Sequence, residues 1–115
     1  MTLIQVYGIP TCSTCKKALQ WLDTQGISYE FINTKEQPPD REQITHWVEK
    51  LGYQPLRNTS GQSYRALDEV KNTWKDAEWV AAFSDDVMLL KRPFFVKNGI
   101  AIAVGFSNIA EIQEL

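Results

Sequence analysis

Cys12 and Cys15 are the only cysteines in the sequence, and they stand two residues apart in Pro10-Thr11-Cys12-Ser13-Thr14-Cys15-Lys16-Lys17. Two thiols at this spacing can exchange disulfides. One attacks as a thiolate, and the other then closes an intramolecular bond on it. Such chemistry needs a place where negative charge on sulfur is favoured. The start of a helix is one, because its first N–H groups lack internal partners and its dipole adds partial positive charge. Cys12 is therefore the candidate nucleophile, and Cys15, one turn on, the candidate resolving thiol. The pair could instead be inert core residues or half of a zinc site. Zinc needs about four ligands, and the one histidine, His46, does not complete a set.

The elements around the pair place it at such a start. Leu3-Ile4-Gln5-Val6-Tyr7 reads as a buried strand and Gly8-Ile9-Pro10 as a turn. Ala18, Leu19, Trp21 and Leu22 then recur at helical spacing. The spacing predicts a helix from Ser13 to Gln25, stopped by Gly26 in a left-handed conformation. Ile27-Ser28-Tyr29-Glu30-Phe31 alternates as a second strand, parallel to the first through a right-handed crossover.

Beyond a polar loop from Thr34 to Pro39, Asp40 and Gln43 form a capping-box pattern. The helix they open carries Ile44, Trp47, Val48 and Leu51 as its apolar stripe and ends at Gly52. Asn58-Thr59-Ser60-Gly61 is a turn cluster. Tyr64, Leu67 and Val70 suggest one short helix, and Asp76 caps another that carries Val80 and Phe83. Phe94-Phe95-Val96 and Ile100 to Val104 flank Lys97-Asn98-Gly99, a strong hairpin signal. A last helix starts near Ser107 or Asn108, with Ile109 and Ile112 facing inward and Glu111 in its first turn. The order is β-α-β, helices, then β-β-α. It is the order of an α/β chain with a thioredoxin-like fold: one domain, 1–115, with a helical insertion over about 40–86.

Composition bounds the function. Apolar residues make up 43% of 115, enough for one globular core, and the net charge is −2. That charge gives no reason to expect direct nucleic-acid binding. No apolar run reaches the roughly 18 residues of a membrane span, and no signal peptide is evident at the start. A cytoplasmic location and a monomer are the expectations, and there a disulfide would be transient or catalytic.

Four stretches together resemble the arsenate-reductase-like family, ArsC/Spx. They are Tyr7 to Ala18; Asn58-Thr59-Ser60-Gly61 with Tyr64-Arg65-Ala66-Leu67-Asp68-Glu69; Leu90-Lys91-Arg92-Pro93; and Val104-Gly105-Phe106-Ser107. They cover almost the whole chain in order, and the chain is most similar to the YffB-like subgroup. The resemblance implies an ArsC-like thioredoxin fold with Cys12 as nucleophile on an oxyanion. Arg92 matches the arginine before the family's proline, Pro93, whose preceding bond is expected to be cis. Arg57 matches a second arginine. Thr11, Ser13, Lys16, Arg57 and Pro93 are the candidate substrate-binding residues, and Cys12, Cys15 and Arg92 the catalytic ones. No metal site and no bound cofactor are expected.

Two departures matter. A third family arginine would fall near Gly105 and is missing, so arsenate reduction is expected to be weak or absent. The second cysteine is more similar to the Spx/MgsR branch, which senses oxidants and binds RNA polymerase, though Spx proteins usually continue past the point where this sequence stops. The expected function is a thiol-dependent reductase acting on a small oxyanion or disulfide and reset by glutathione with glutaredoxin, or by thioredoxin. The alternative is a redox-switched regulator that binds RNA polymerase. Other features have plain readings: His46 on a solvated face, the four tryptophans as packing, Asp85-Asp86 as a loop or cap. Lys16 and Lys17 form a solvated helix face, or Lys16 tunes the site, and Arg65 carries either reading.

Overall fold

The computed structural model describes residues 3–106; the helix expected from Ser107 onward lies outside them. Four strands form one sheet in the order β2-β1-β3-β4. They are β1 (Ile4–Gly8), β2 (Tyr29–Asn33), β3 (Phe94–Lys97) and β4 (Ile100–Val104). β1 is central, parallel to β2 and antiparallel to β3, and β3 pairs antiparallel with β4. β1 has neighbours on both edges, and Ile4, Val6, Tyr7 and Gly8 are buried in it, so it reads as a nearly continuous apolar run rather than an alternating one. The turn between β3 and β4 needs left-handed backbone twice, and Asn98 and Gly99 supply it with φ of 55° and 76°.

Helix α1 (Ser13–Thr24) buries Cys15, Ala18 and Leu22, three residues at helical spacing on one stripe. Ala18 and Leu22 join Ile4, Val6, Phe95 and Ala103 in one core. The helix stops as the sequence predicts. Gly26 adopts φ of 71°; its N–H donates to the Asp23 carbonyl, and the Ile27 N–H donates to the Leu22 carbonyl, at 3.1 and 3.0 Å. This is a Schellman ending. It also explains why β2 begins two residues later than expected: Ile27 is taken up by the helix stop, and pairing with Ile4 starts at Tyr29.

The chain divides into two compact units. One comprises the residues up to Gln37 and from Arg92 onward, and holds the sheet and α1; the other is Pro38–Lys91. The second contains α2 (Arg41–Leu51), α3 (Gln62–Arg65) and α4 (Asp76–Asp85), with 3-10 turns at Gln54–Leu56, Glu69–Thr73 and Val87–Leu89. Asp40 caps α2 as expected: its carboxylate accepts from the Gln43 N–H at 2.8 Å, and the Gln43 side chain accepts from the Asp40 N–H at 3.1 Å. The core of this unit is Ile44, Trp47, Val48, Leu56, Trp79, Val80, Phe83 and Leu89. Asn58 donates to the Leu89 carbonyl and Lys91 to the Leu56 carbonyl, both at 2.8 Å, which ties the chain leaving the unit to its middle.

Two expectations in this unit change. Tyr64, Leu67 and Val70 do not share one helix. α3 ends at Arg65, a separate 3-10 turn follows, and Val70 is 55% exposed. Tyr64 is fixed by stacking on Trp79, with ring centroids 6.3 Å apart, whereas Val70 has no such anchor. Asp76 is the first residue inside α4 rather than its cap. Lys75 takes the cap position, and its N–H donates to Glu78 at 3.0 Å. Asp76 and Glu78 then place negative charge in the first turn, where the dipole favours it.

Asp40 is exposed, so removing its side chain disturbs no packing. Asp40→Ala is expected to lower stability by about 1 kcal/mol through the lost cap. Urea unfolding checks this as a shifted midpoint with an unchanged slope.

Candidate active site

The first turn of α1 is reached through a tight loop. The Cys12 N–H donates to the Ile9 carbonyl at 3.1 Å, so Ile9-Pro10-Thr11-Cys12 is a β-turn with proline at its favoured second position. The turn thus lies one residue later than the sequence suggests, and Gly8 remains in β1, paired with Asn33. Cys12 is the N-cap residue of α1, in extended conformation with φ of −78° and ψ of 122°. Its carbonyl accepts the first helical bond, from Lys16, at 3.0 Å.

The two sulfurs differ in setting. Both are free thiols; Cys12 is partly exposed, whereas Cys15 is 1% exposed. The reason is positional. Cys15 is the first residue of the stripe that continues through Ala18 and Leu22 into the core, and Cys12 lies before the helix proper. Partial burial disfavours the Cys12 thiolate. The N–H of Cys15, the Cys15 thiol, the N–H of Thr14 and the charge of Arg92 together outweigh that and lower its pKa. The N–H groups do so as dipoles, since no regular cap hydrogen bond to the sulfur is formed. For Cys15 burial dominates. The Ile9 N–H and Arg92 oppose it, the Cys12 sulfur reinforces it, and the pKa rises to about 11.

Arg92 and Pro93 belong to the same unit as the cysteines, and the peptide bond between them is cis. The buried Pro93 carbonyl accepts from the Gly105 N–H at 2.8 Å. Arg92 is half-buried, and its Nε and one terminal nitrogen are buried with no hydrogen-bond partner among the described residues. Buried donors without a partner are costly, and a guanidinium presents them as a fork suited to an oxyanion or thiolate.

The remaining candidates separate. Thr11, Ser13 and Lys16 are exposed around Cys12. The cation that acts on the Cys12 sulfur is Arg92. Arg57 belongs to the other unit, where its guanidinium carbon lies 5.4, 5.8 and 5.3 Å from the ring centres of Tyr53, Tyr64 and Trp79. That is cation–π distance. His46 is 65% exposed, beside Glu42. Trp47 and Trp79 are core residues, Trp74 packs edge-on against Trp79, and Trp21 packs against the sheet core. Asp86 accepts from the Met88 N–H at 3.0 Å as a local cap.

Two residues that bear on the site were not singled out from the sequence. Thr34 is buried, and both its N–H, at 2.9 Å, and its hydroxyl, at 3.4 Å, donate to the Gly8 carbonyl. A β-carbon on Gly8 would meet the Cys15 sulfur. The one available signal was a glycine ending a strand just before a Cys-x-x-Cys, and a turn explained that glycine equally well.

The four-stranded sheet, the dithiol opening α1 and the cis-proline before β3 define a thioredoxin-like fold. The ArsC family model matches residues 7–115, and the chain belongs to that family. A solved structure of a possible arsenate reductase from Streptococcus mutans UA159 is 35% identical, with a TM-score of 0.83 over 92% of each chain. An arsenate reductase of Neisseria meningitidis serogroup A is 30% identical over 91% of this chain and 92% of that protein. The global transcriptional regulator Spx of Lactiplantibacillus plantarum is 25% identical over 92% of this chain and 81% of its own length.

Alkylation against pH is expected to separate the thiols. In Cys15→Ser the Cys12 rate should rise with a midpoint below the roughly 8.5 of a free thiol. In Cys12→Ser the Cys15 midpoint should lie well above it, since burial is its largest cause. Stability carries the same sign. An unfolded Cys15 loses its proton near the ordinary value, and the folded one keeps it to about 11. Stability should therefore fall as pH rises through that window, and Cys15→Ala should remove this part of the slope.

Proposed function

We propose that the protein is a thiol-dependent oxidoreductase with Cys12 as nucleophile, Cys15 as resolving thiol and Arg92 as the anion-stabilising cation. The unlike settings of the two thiols support this reading: Cys12, partly exposed at the helix start beside Arg92, has its pKa lowered, and Cys15, on the buried stripe, is held as thiol. Cys12 attacks one sulfur of a disulfide substrate, forming a mixed disulfide and expelling the other sulfur as thiolate. Cys15 gives up its proton and attacks the Cys12 sulfur. The second substrate thiol leaves and the Cys12–Cys15 disulfide closes. An external thiol, glutathione with glutaredoxin or thioredoxin, returns two electrons and two protons. On an oxyanion the Cys12 thiolate bonds to the central atom and displaces one oxygen, which leaves with two protons as water, while the remaining oxygens lie beside Arg92. Cys15 then attacks the Cys12 sulfur; the bond from that sulfur to the central atom breaks, its electron pair stays on that atom, which is thereby reduced by two electrons, and the Cys12–Cys15 disulfide closes.

Gly105 stands where the family resemblance implies a third arginine, so arsenate is a poor substrate in this reading. Thr11, Ser13 and Lys16 line the approach to Cys12, and Arg57 is the second anion-binding candidate. A cytoplasmic setting, with its thiol reductants, suits the resting dithiol. A second reading is supported by the Spx relative: a regulator whose dithiol state controls binding to RNA polymerase.

A coupled NADPH assay on glutathionylated, disulfide and arsenate substrates tests the enzyme reading. Cys12→Ser should abolish turnover, and Cys15→Ser should keep partial activity where glutathione can resolve the adduct. Arg92→Lys, which keeps charge and loses the fork, should lower kcat/KM by about tenfold or more. No turnover on any of these, with polymerase pulled down by only one redox form, would favour the regulator.

A further inference from the structure

We propose that Gly8 is the positioning residue for Cys15: the missing side chain at the end of β1 is the space in which the resolving sulfur sits. The inference rests on the thiol–disulfide reading of the site. An ideal β-carbon built on Gly8 would lie 2.6 Å from the Cys15 Sγ, a separation that real atoms do not reach. Its other neighbours, Phe31 Cε1 at 3.4 Å and Cys15 Cβ at 3.5 Å, are ordinary contacts. The conflict is with the sulfur alone.

The backbone at Gly8 does not otherwise call for glycine. Gly26, Gly52, Gly99 and Gly105 have positive φ, and Gly8 does not. Nor can β1 easily move aside. Gly8 is in register with Asn33 on the parallel strand, and its carbonyl is held by both the N–H and the hydroxyl of Thr34. Cys15 is equally fixed along the chain, three residues into α1 and on its buried stripe. The remaining freedom is rotation about the Cys15 Cα–Cβ bond. A side chain at position 8 would turn the sulfur out of its present rotamer and away from the contact through which it supports the Cys12 thiolate. Position 8 thereby selects between a protein that closes its own disulfide and one that depends on an external thiol.

The test is a double-mutant cycle of Gly8→Ala and Cys15→Ala. Gly8→Ala is expected to lower Tm when Cys15 is present and to leave it unchanged in Cys15→Ala, where the conflicting atom is gone. Should Gly8→Ala fail to fold alone and fold with Cys15→Ala, the proposal is supported. Equal losses in both backgrounds, or a double variant that cannot fold, overturn it.

A second arm reads chemistry that a purely structural glycine would not move. Glutathione disulfide oxidises the two thiols to the Cys12–Cys15 disulfide and is itself reduced to two glutathione molecules. The equilibrium constant for this closure should fall about tenfold in Gly8→Ala, the scale of an off-rotamer side chain. The midpoint of Cys12 alkylation should rise in the same variant and stay put when Cys15 is already alanine. A closure constant equal to wild type overturns the positioning role. Should the wild-type pair not close at all, the thiol–disulfide reading fails, and the Tm cycle alone decides where the Cys15 sulfur is held.

Discussion

The unpaired N–H groups of the first turn of α1 act on one sulfur, and the buried stripe of the same helix begins at the other. A helix that starts against a sheet has both a polar end and an apolar side. Two residues separate the N-cap from the third helical position, and that step carries the chain from one environment to the other. The dithiol therefore has two distinct members largely through its place on the helix, and Arg92 adds to the difference. The dipoles belong to the backbone, and the burial belongs to the core of Ala18, Leu22, Val6 and Phe95. Moving Cys15 one position either way would take it off the stripe and remove the difference.

Among the described residues, Arg92 is the cation whose charge acts on both sulfurs. Its cost is visible in the buried nitrogens that find no partner among the described residues. Arg57, in the other unit, is accommodated differently: three aromatic faces surround its charge, although its Nε is likewise buried without a hydrogen bond. One arginine is surrounded by rings, and the other keeps two buried nitrogens without a partner among the described residues. Arg92 acts on the two sulfurs within its own unit, and Arg57 packs within the Tyr53-Tyr64-Trp79 cluster of the other.

Much of the arrangement could be read from the sequence because it is local. The helix start at Ser13, the Gly26 stop, the Asp40–Gln43 capping box and the Asn98-Gly99 turn all depend on residues within one or two turns of chain. The pairing of Cys12 with a cis Arg92–Pro93 bond came from family resemblance; no local rule links positions so distant. What could not be read was steric. That Gly8 serves a sulfur rather than a turn depends on how closely β1 approaches α1. That Val70 faces solvent while Tyr64 does not depends on the position of Trp79. The delayed start of β2 shows the same limit at short range: Ile27 suited a strand by its alternation, but the helix stop claimed its N–H first.

The division of the reactive unit between two distant stretches of sequence has a consequence for biosynthesis. On the ribosome the cysteines emerge early, with β1 and α1, and β2 follows within the same stretch. The central strand then has one edge filled and the other bare, because β3 has yet to be made. The guanidinium that acts on both sulfurs arrives only after all of Pro38–Lys91 has been translated. A nascent chain therefore carries both thiols before it carries the cation that helps lower the pKa of one of them. The contrast between the two sulfurs is thus complete only once the sheet has closed: in the unfinished chain Cys12 lacks the support of Arg92 and Cys15 lacks the burial that raises its pKa.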